Sequence, residues 1–127
     1  MNTRYMLIHN YYTILRQFSD GEDFVFAVSL NPDCAVYEGH FPGEPVSPGV
    51  CNIQMVKECV EAVIGRPLFL NDIQQCRFTT LITPTVFPEI DVRIYILQQD
   101  DARVKFRAIL CKEATTCFEL KAEASLQ

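Results

Sequence analysis

An α+β fold, an antiparallel sheet curled around one central helix, is what the order of elements in this chain predicts. Two strands come first, then one very apolar helix, then three or four long strands. Runs of strands beside a lone helix favour an antiparallel sheet. The apolar arc of that helix is too wide for a surface helix, which implies that it is wrapped on most sides. At 127 residues the chain fits one domain, 1–127, with no repeat or low-complexity tract to suggest a second.

Residues 11–18 (YYTILRQF) are β-branched and aromatic enough for a strand, and 24–30 (FVFAVSL) read as its return after the turn signal Ser19-Asp20-Gly21-Glu22-Asp23. Residues 31–47 follow as an irregular stretch with three prolines and two glycines, a long loop of the kind that usually carries function. Ser47-Pro48 is a helix start, hydroxyl N-cap then proline, and Gly65 with Pro67 ends the helix after about Ile64. Cys51, Met55, Val56, Cys59, Val60, Ala62, Val63 and Ile64 fill the apolar arc. Gln54, Lys57, Glu58 and Glu61 make the polar remainder, with Glu58 and Glu61 read as a solvated face beside Lys57. Apolar segments near 69–82, 90–97, 104–111 and 116–122 complete the sheet, with turns at Asp100-Asp101 and Glu113-Ala114.

Nearly half the residues (49%) are hydrophobic and 21% are charged, enough for a core and ordinary for a globular protein. A net charge of −5 argues against nucleic acid, which is bound by neutralising phosphates with Lys and Arg. The apolar run at 5–8 is too short for a signal peptide or a membrane span, so a cytoplasmic protein with reduced cysteines is expected. None of Cys34, Cys51, Cys59, Cys76, Cys111 and Cys117 forms a CxxC pair, and with only His9 and His40 no metal site is expected. The cysteines read as small core hydrophobes, Cys51 being the one near an interesting motif.

That motif is Gly39-His40-Phe41-Pro42-Gly43-Glu44-Pro45-Val46-Ser47-Pro48-Gly49-Val50. It sets an imidazole in a proline-restricted loop that feeds a helix N-terminus. Free N–H groups of a first helical turn suit a carbonyl that becomes an enolate-like oxyanion, and a nearby imidazole suits proton transfer near neutral pH. Residue chemistry leaves two readings of His40 open, a catalytic base and a structural histidine in a proline-rich turn.

The segment resembles the GHFPGxPVMPGV signature of the FabA/FabZ-type 3-hydroxyacyl-ACP dehydratases, where ACP is acyl carrier protein, and only Ser47 departs from it. Weaker likeness extends over roughly 28–84, through Val28-Ser29-Leu30-Asn31-Pro32 and Ile73-Gln74-Gln75-Cys76-Arg77-Phe78 with Pro84. The resemblance implies a hot-dog fold, working as a homodimer, a higher oligomer or a heterodimer with a homologue. It implies removal of water from a 3-hydroxyacyl chain carried on the phosphopantetheine of ACP, with no cofactor. By the same resemblance His40 is the base at C2, the Gly49 N–H polarises the thioester carbonyl, and Val50 and Phe41 contact substrate. The family's acidic residue falls fourteen positions after the histidine, at Gln54.

An amide has no proton to give, so the resemblance implies an atypical or weak dehydratase in which Gln54 orients a hydroxyl or water. Glu58, Glu38 and Glu44 are the other acids near the motif, and Arg77, Lys57 and Arg66 are candidate contacts for the carrier phosphate. Two further functions share the fold: an acyl thioesterase, and a catalytically reduced acyl-binding or heterodimer partner.

Overall fold

Gly21, with a φ of 70°, turns the chain between β1 (Tyr12–Asp20) and β2 (Asp23–Leu30). A computed structural model of the protein describes residues 7–39 and 46–127, and the following statements concern those residues. After a short 3-10 helix (Ala35–Gly39) come α1 (Gly49–Ile64), β3 (Leu68–Phe78), β4 (Glu89–Gln99), β5 (Arg103–Lys112) and β6 (Thr115–Leu126). The six strands form one antiparallel sheet in the order β1-β2-β4-β5-β6-β3.

Period-two alternation decides which face is buried. Ile90, Val92 and Ile94 of β4, Val104, Phe106 and Leu110 of β5, and Phe118 and Leu120 of β6 are buried. They form one core with Met55, Val56, Cys59 and Val60 of α1. The intervening residues face water and carry ion pairs such as Arg103–Glu123 at 2.9 Å and Arg107–Glu119 at 3.5 Å. Burial of each large apolar side chain contributes about 1.5–3 kcal/mol and each exposed pair about 0.2–1 kcal/mol, so the core holds the sheet on the helix.

Five expectations need correction. The helix N-cap is Pro48, not Ser47, because the buried Ser47 hydroxyl lies 3.5 Å from the Tyr37 hydroxyl and makes no cap bond. The helix stop is as expected, with Gly65 at φ 80° and its N–H on Glu61 O at 2.7 Å. β3 ends at Phe78 rather than near Ile82, because the Thr79 and Thr80 N–H groups turn to Cys117 O and Ile82 O accepts the Ser47 N–H. Ala62 is exposed, since the last turn of α1 runs past the edge of its cover. Glu58 and Glu61 are buried, at 4% and 7% exposure, because residues 7–12 and the start of β3 cover that side of the helix. Cys76 is exposed on edge strand β3, although Cys51, Cys59, Cys111 and Cys117 are core residues as read.

Candidate functional site

The first turn of α1 is the centre of the candidate site. Cys51 N–H and Asn52 N–H both bond to Pro48 O, whereas Gly49 and Val50 stand too early in the helix to have an intrahelical acceptor. Glycine at 49 permits a close approach by a side chain. A Cβ there would lie 2.8 Å from Cζ of Phe78, whose ring covers the backbone and packs on Phe118 at 4.8 Å. A free amide at a helix N-terminus is suited to a thioester carbonyl oxygen.

Val50 and Gln54 lie one helical turn apart and share a cleft of about 360 Å3 with Leu7 and Cys51. Its walls are mainly apolar, and Val50 is 73% exposed. On the other side of Gly49 a smaller cleft of about 180 Å3 is lined by Ser47, Asn52, Phe78 and Ile82, among others.

Gln54 Nε2 donates to Glu58 Oε2 at 2.9 Å. That same oxygen accepts the Leu7 N–H at 2.7 Å, while Oε1 accepts the Ile8 N–H at 3.0 Å and the Tyr12 hydroxyl at 2.8 Å. Glu58 is therefore a buried anchor for the N-terminal segment and for Gln54, not the solvated side chain expected. Its four donors also remove it from the list of acids free to serve a substrate.

A second buried group supports the loop before the helix. The Tyr11 hydroxyl donates to Asn52 Oδ1 at 2.9 Å, and Tyr37 meets Ser47. Burial pushes the Tyr11 and Tyr37 hydroxyls above their usual range, so they remain neutral donors. The described residues on either side of 40–45 are thus tied together, through Tyr37 before and Ser47 after. This gives a role to the one residue that departs from the sequence signature.

The structure brings Val50 and Gln54 into one cleft, and Gly49, the residue before Val50, starts the helix. His40, Phe41 and Glu44 lie outside the described residues. Burial, then the neighbouring Cys34, push the Cys51 thiol up and keep it protonated, which disfavours a nucleophilic role. Arg66 is committed to carbonyls of Gln127 and Asp101 at the far end of α1, about 24 Å along the axis from Gly49. Lys57 pairs with Glu61 at 3.9 Å and Arg77 with Glu119 at 3.8 Å. Phe78 and the Glu58 anchor were not assigned from sequence. The Arg77-Phe78 pair was a signal for the first, and the spacing of Gln54 and Glu58 for the second. No His/Cys/Asp/Glu group among the described residues has metal-site geometry, and no described helix is long and apolar enough to cross a membrane.

Known proteins resemble the chain over most of its length. The ApeI-like family model, described as ApeI dehydratase, matches residues 16–121. The 3-hydroxyacyl-[acyl-carrier-protein] dehydratase FabZ of Lactiplantibacillus plantarum is 25% identical over 126 residues, spanning 90% of this chain and 86% of the relative. Among solved structures, the dehydratase heterocomplex ApeI:P from Xenorhabdus doucetiae superposes with a TM-score of 0.68 at 18% identity, over 88% of this chain and 96% of that one. A thioesterase from Haemophilus influenzae superposes at 0.63 with 13% identity, over 95% and 81%. Both structural likenesses bear on the fold, which is the hot-dog fold expected. With its signature loop, its helix-start glycine and a family match across 16–121, the chain belongs to the ApeI-like dehydratase family.

Proposed function

We propose that this protein dehydrates a 3-hydroxyacyl thioester carried on ACP, in fatty-acid or polyketide-type chain elongation in the cytoplasm, using His40 and the start of α1. The Gly49 N–H holds the thioester carbonyl oxygen and stabilises the negative charge that gathers there when His40 removes a proton from C2. The C3–O bond then breaks, the C2–C3 double bond forms, and the departing hydroxide takes a proton to leave as water. Gln54 has none to give, so the imidazolium formed in the first step is the donor this chain itself offers. Val50 and Phe41 contact the acyl chain.

The observation that carries the reading is the helix start at Gly49, packed against Phe78, with an apolar cleft that begins at the next residue, Val50, in a chain of this family. A second chain completes the assembly, as a copy of this one or as a homologue. β3 supports this: it is an edge strand with exposed Phe69, Ile73 and Phe78, which a partner's edge would cover. The FabZ-named relatives favour ACP as carrier, and the ApeI heterocomplex favours a homologue as one choice of partner.

Incubation of the purified protein with 3-hydroxyacyl-ACP, followed by intact-mass spectrometry, tests the reading. Loss of one water from the carried chain is the expected result. Loss of the whole acyl group would replace it with thioester hydrolysis.

A further inference from the structure

Mirror symmetry about one residue sets the free edge of β3 apart from an ordinary strand. Residues directly opposite each other in an antiparallel pair share a face of the sheet. Leu68, Leu70, Ile73, Cys76 and Phe78 stand opposite β6 residues that belong to the core or pack against it, Ala122, Leu120 and Phe118 among them. Those five therefore lie on the helix side of β3. The intervals between them are 2, 3, 3 and 2 residues, because the ladder is irregular between Leu70 and Asp72 and again between Ile73 and Gln75. The series reads the same in both directions, with Ile73 at its centre. Ile73 and Phe78 are nonetheless 45% and 58% exposed, and Cys76 is exposed, so α1 leaves this half of the strand uncovered.

We infer that β3 pairs with β3 of a second copy of this chain, antiparallel, about a two-fold axis beside Ile73, and that this spacing selects a copy over a homologue. The inference rests on the second chain proposed above and names its identity and register. A strand reversed onto itself about Ile73 sets Ile73 against the partner's Ile73, Leu70 against the partner's Cys76 and Leu68 against the partner's Phe78. Every helix-side position then meets another. A regular strand, with its helix-side residues two apart, falls out of step at the first interval of three. On the opposite face Arg77 comes level with the partner's Phe69; both are exposed, and a guanidinium over a ring is a favourable contact. Because Phe78 packs against Gly49, the same joint closes over the helix start.

Cysteine crosslinking reads the register. Opposed residues of an antiparallel pair have Cα atoms about 4.5–5.5 Å apart, within reach of a disulfide. With Cys76→Ser as background, Ile73→Cys is expected to run mainly as a disulfide-linked dimer on a non-reducing gel after treatment with oxidised glutathione, which is reduced as the two thiols join. Cys76→Ser alone is expected to stay uncrosslinked. Leu70→Cys with Cys76 retained is expected to crosslink as well, which keeps the test decisive where one variant folds poorly. A slip of three residues would set Ile73 against the partner's Cys76 and part the two Ile73 positions by about 10 Å, too far for a disulfide. Crosslinking of Ile73→Cys only where Cys76 is retained therefore overturns the inference. A dimer mass by light scattering with neither crosslink also overturns it and leaves a second chain standing. A monomeric natural protein at micromolar concentration overturns the second chain and the inference together.

Discussion

At position 54 the chemistry of one side chain separates binding from turnover. An amide such as that of Gln54 is able to accept a hydroxyl but has no proton to give it, and losing a general acid typically costs about 10²- to 10⁴-fold in rate. Gln54→Glu is therefore expected to speed dehydration by at least about tenfold. The new carboxyl adds a group at position 54 that can carry a proton to the leaving hydroxyl. Dehydration rates of the variant and the natural protein, measured side by side, check the point. Gly49→Ala probes the opposite end of the site. The added Cβ drives the exposed Phe78 ring off its seat, which costs little stability but displaces the cover of the amide. A Tm within a few degrees and a kcat/KM at least about tenfold lower are expected, since small misplacements at a reacting centre are expensive. Position 54 was legible through the family resemblance, which puts an acidic residue fourteen positions after the histidine. Its orientation was not, because the residue that sets it reads as surface on a helical wheel.

Among the elements, the segment 7–12 and α1 are joined by Glu58 rather than by apolar contact alone. Truncation at Glu58→Ala leaves the Leu7 and Ile8 N–H groups and the Tyr12 hydroxyl without their acceptor. At about 1–3 kcal/mol for each buried group left unsatisfied, a loss of at least about 3 kcal/mol is expected, seen as a fall in Tm of roughly 10 °C. Strands and turns were legible from alternation and from Gly21, Asp100 and Glu113, which mark hairpins by local chemistry. The helix stop was legible for the same reason, through Gly65. What local pattern hid was tertiary: Ser47 reads as an N-cap until Tyr37 takes its hydroxyl, and β3 reads longer than it is until Cys117 O captures Thr79 and Thr80. Glu58 and Glu61 read as solvated because their partners come from distant backbone N–H groups, of Leu7 and Leu68, which no helical period displays.

Beyond the single elements, the sheet's open edge and the proposed acyl site belong to one question, because β3 carries both Phe78 and the apolar side chains that a second chain would cover. Light scattering at micromolar concentration is expected to give at least a dimer mass. Ile73→Lys, a charge set into that edge, should shift it toward the monomer; a monomeric natural protein would remove the edge from any assembly. The proposed dehydration rests on His40. The rate of water loss from 3-hydroxyacyl-ACP, followed by mass spectrometry for the natural protein and His40→Ala side by side, should show turnover in the first and none in the second, with melting temperatures within a few degrees. Equal water loss by a correctly folded His40→Ala protein would contradict the proposed mechanism.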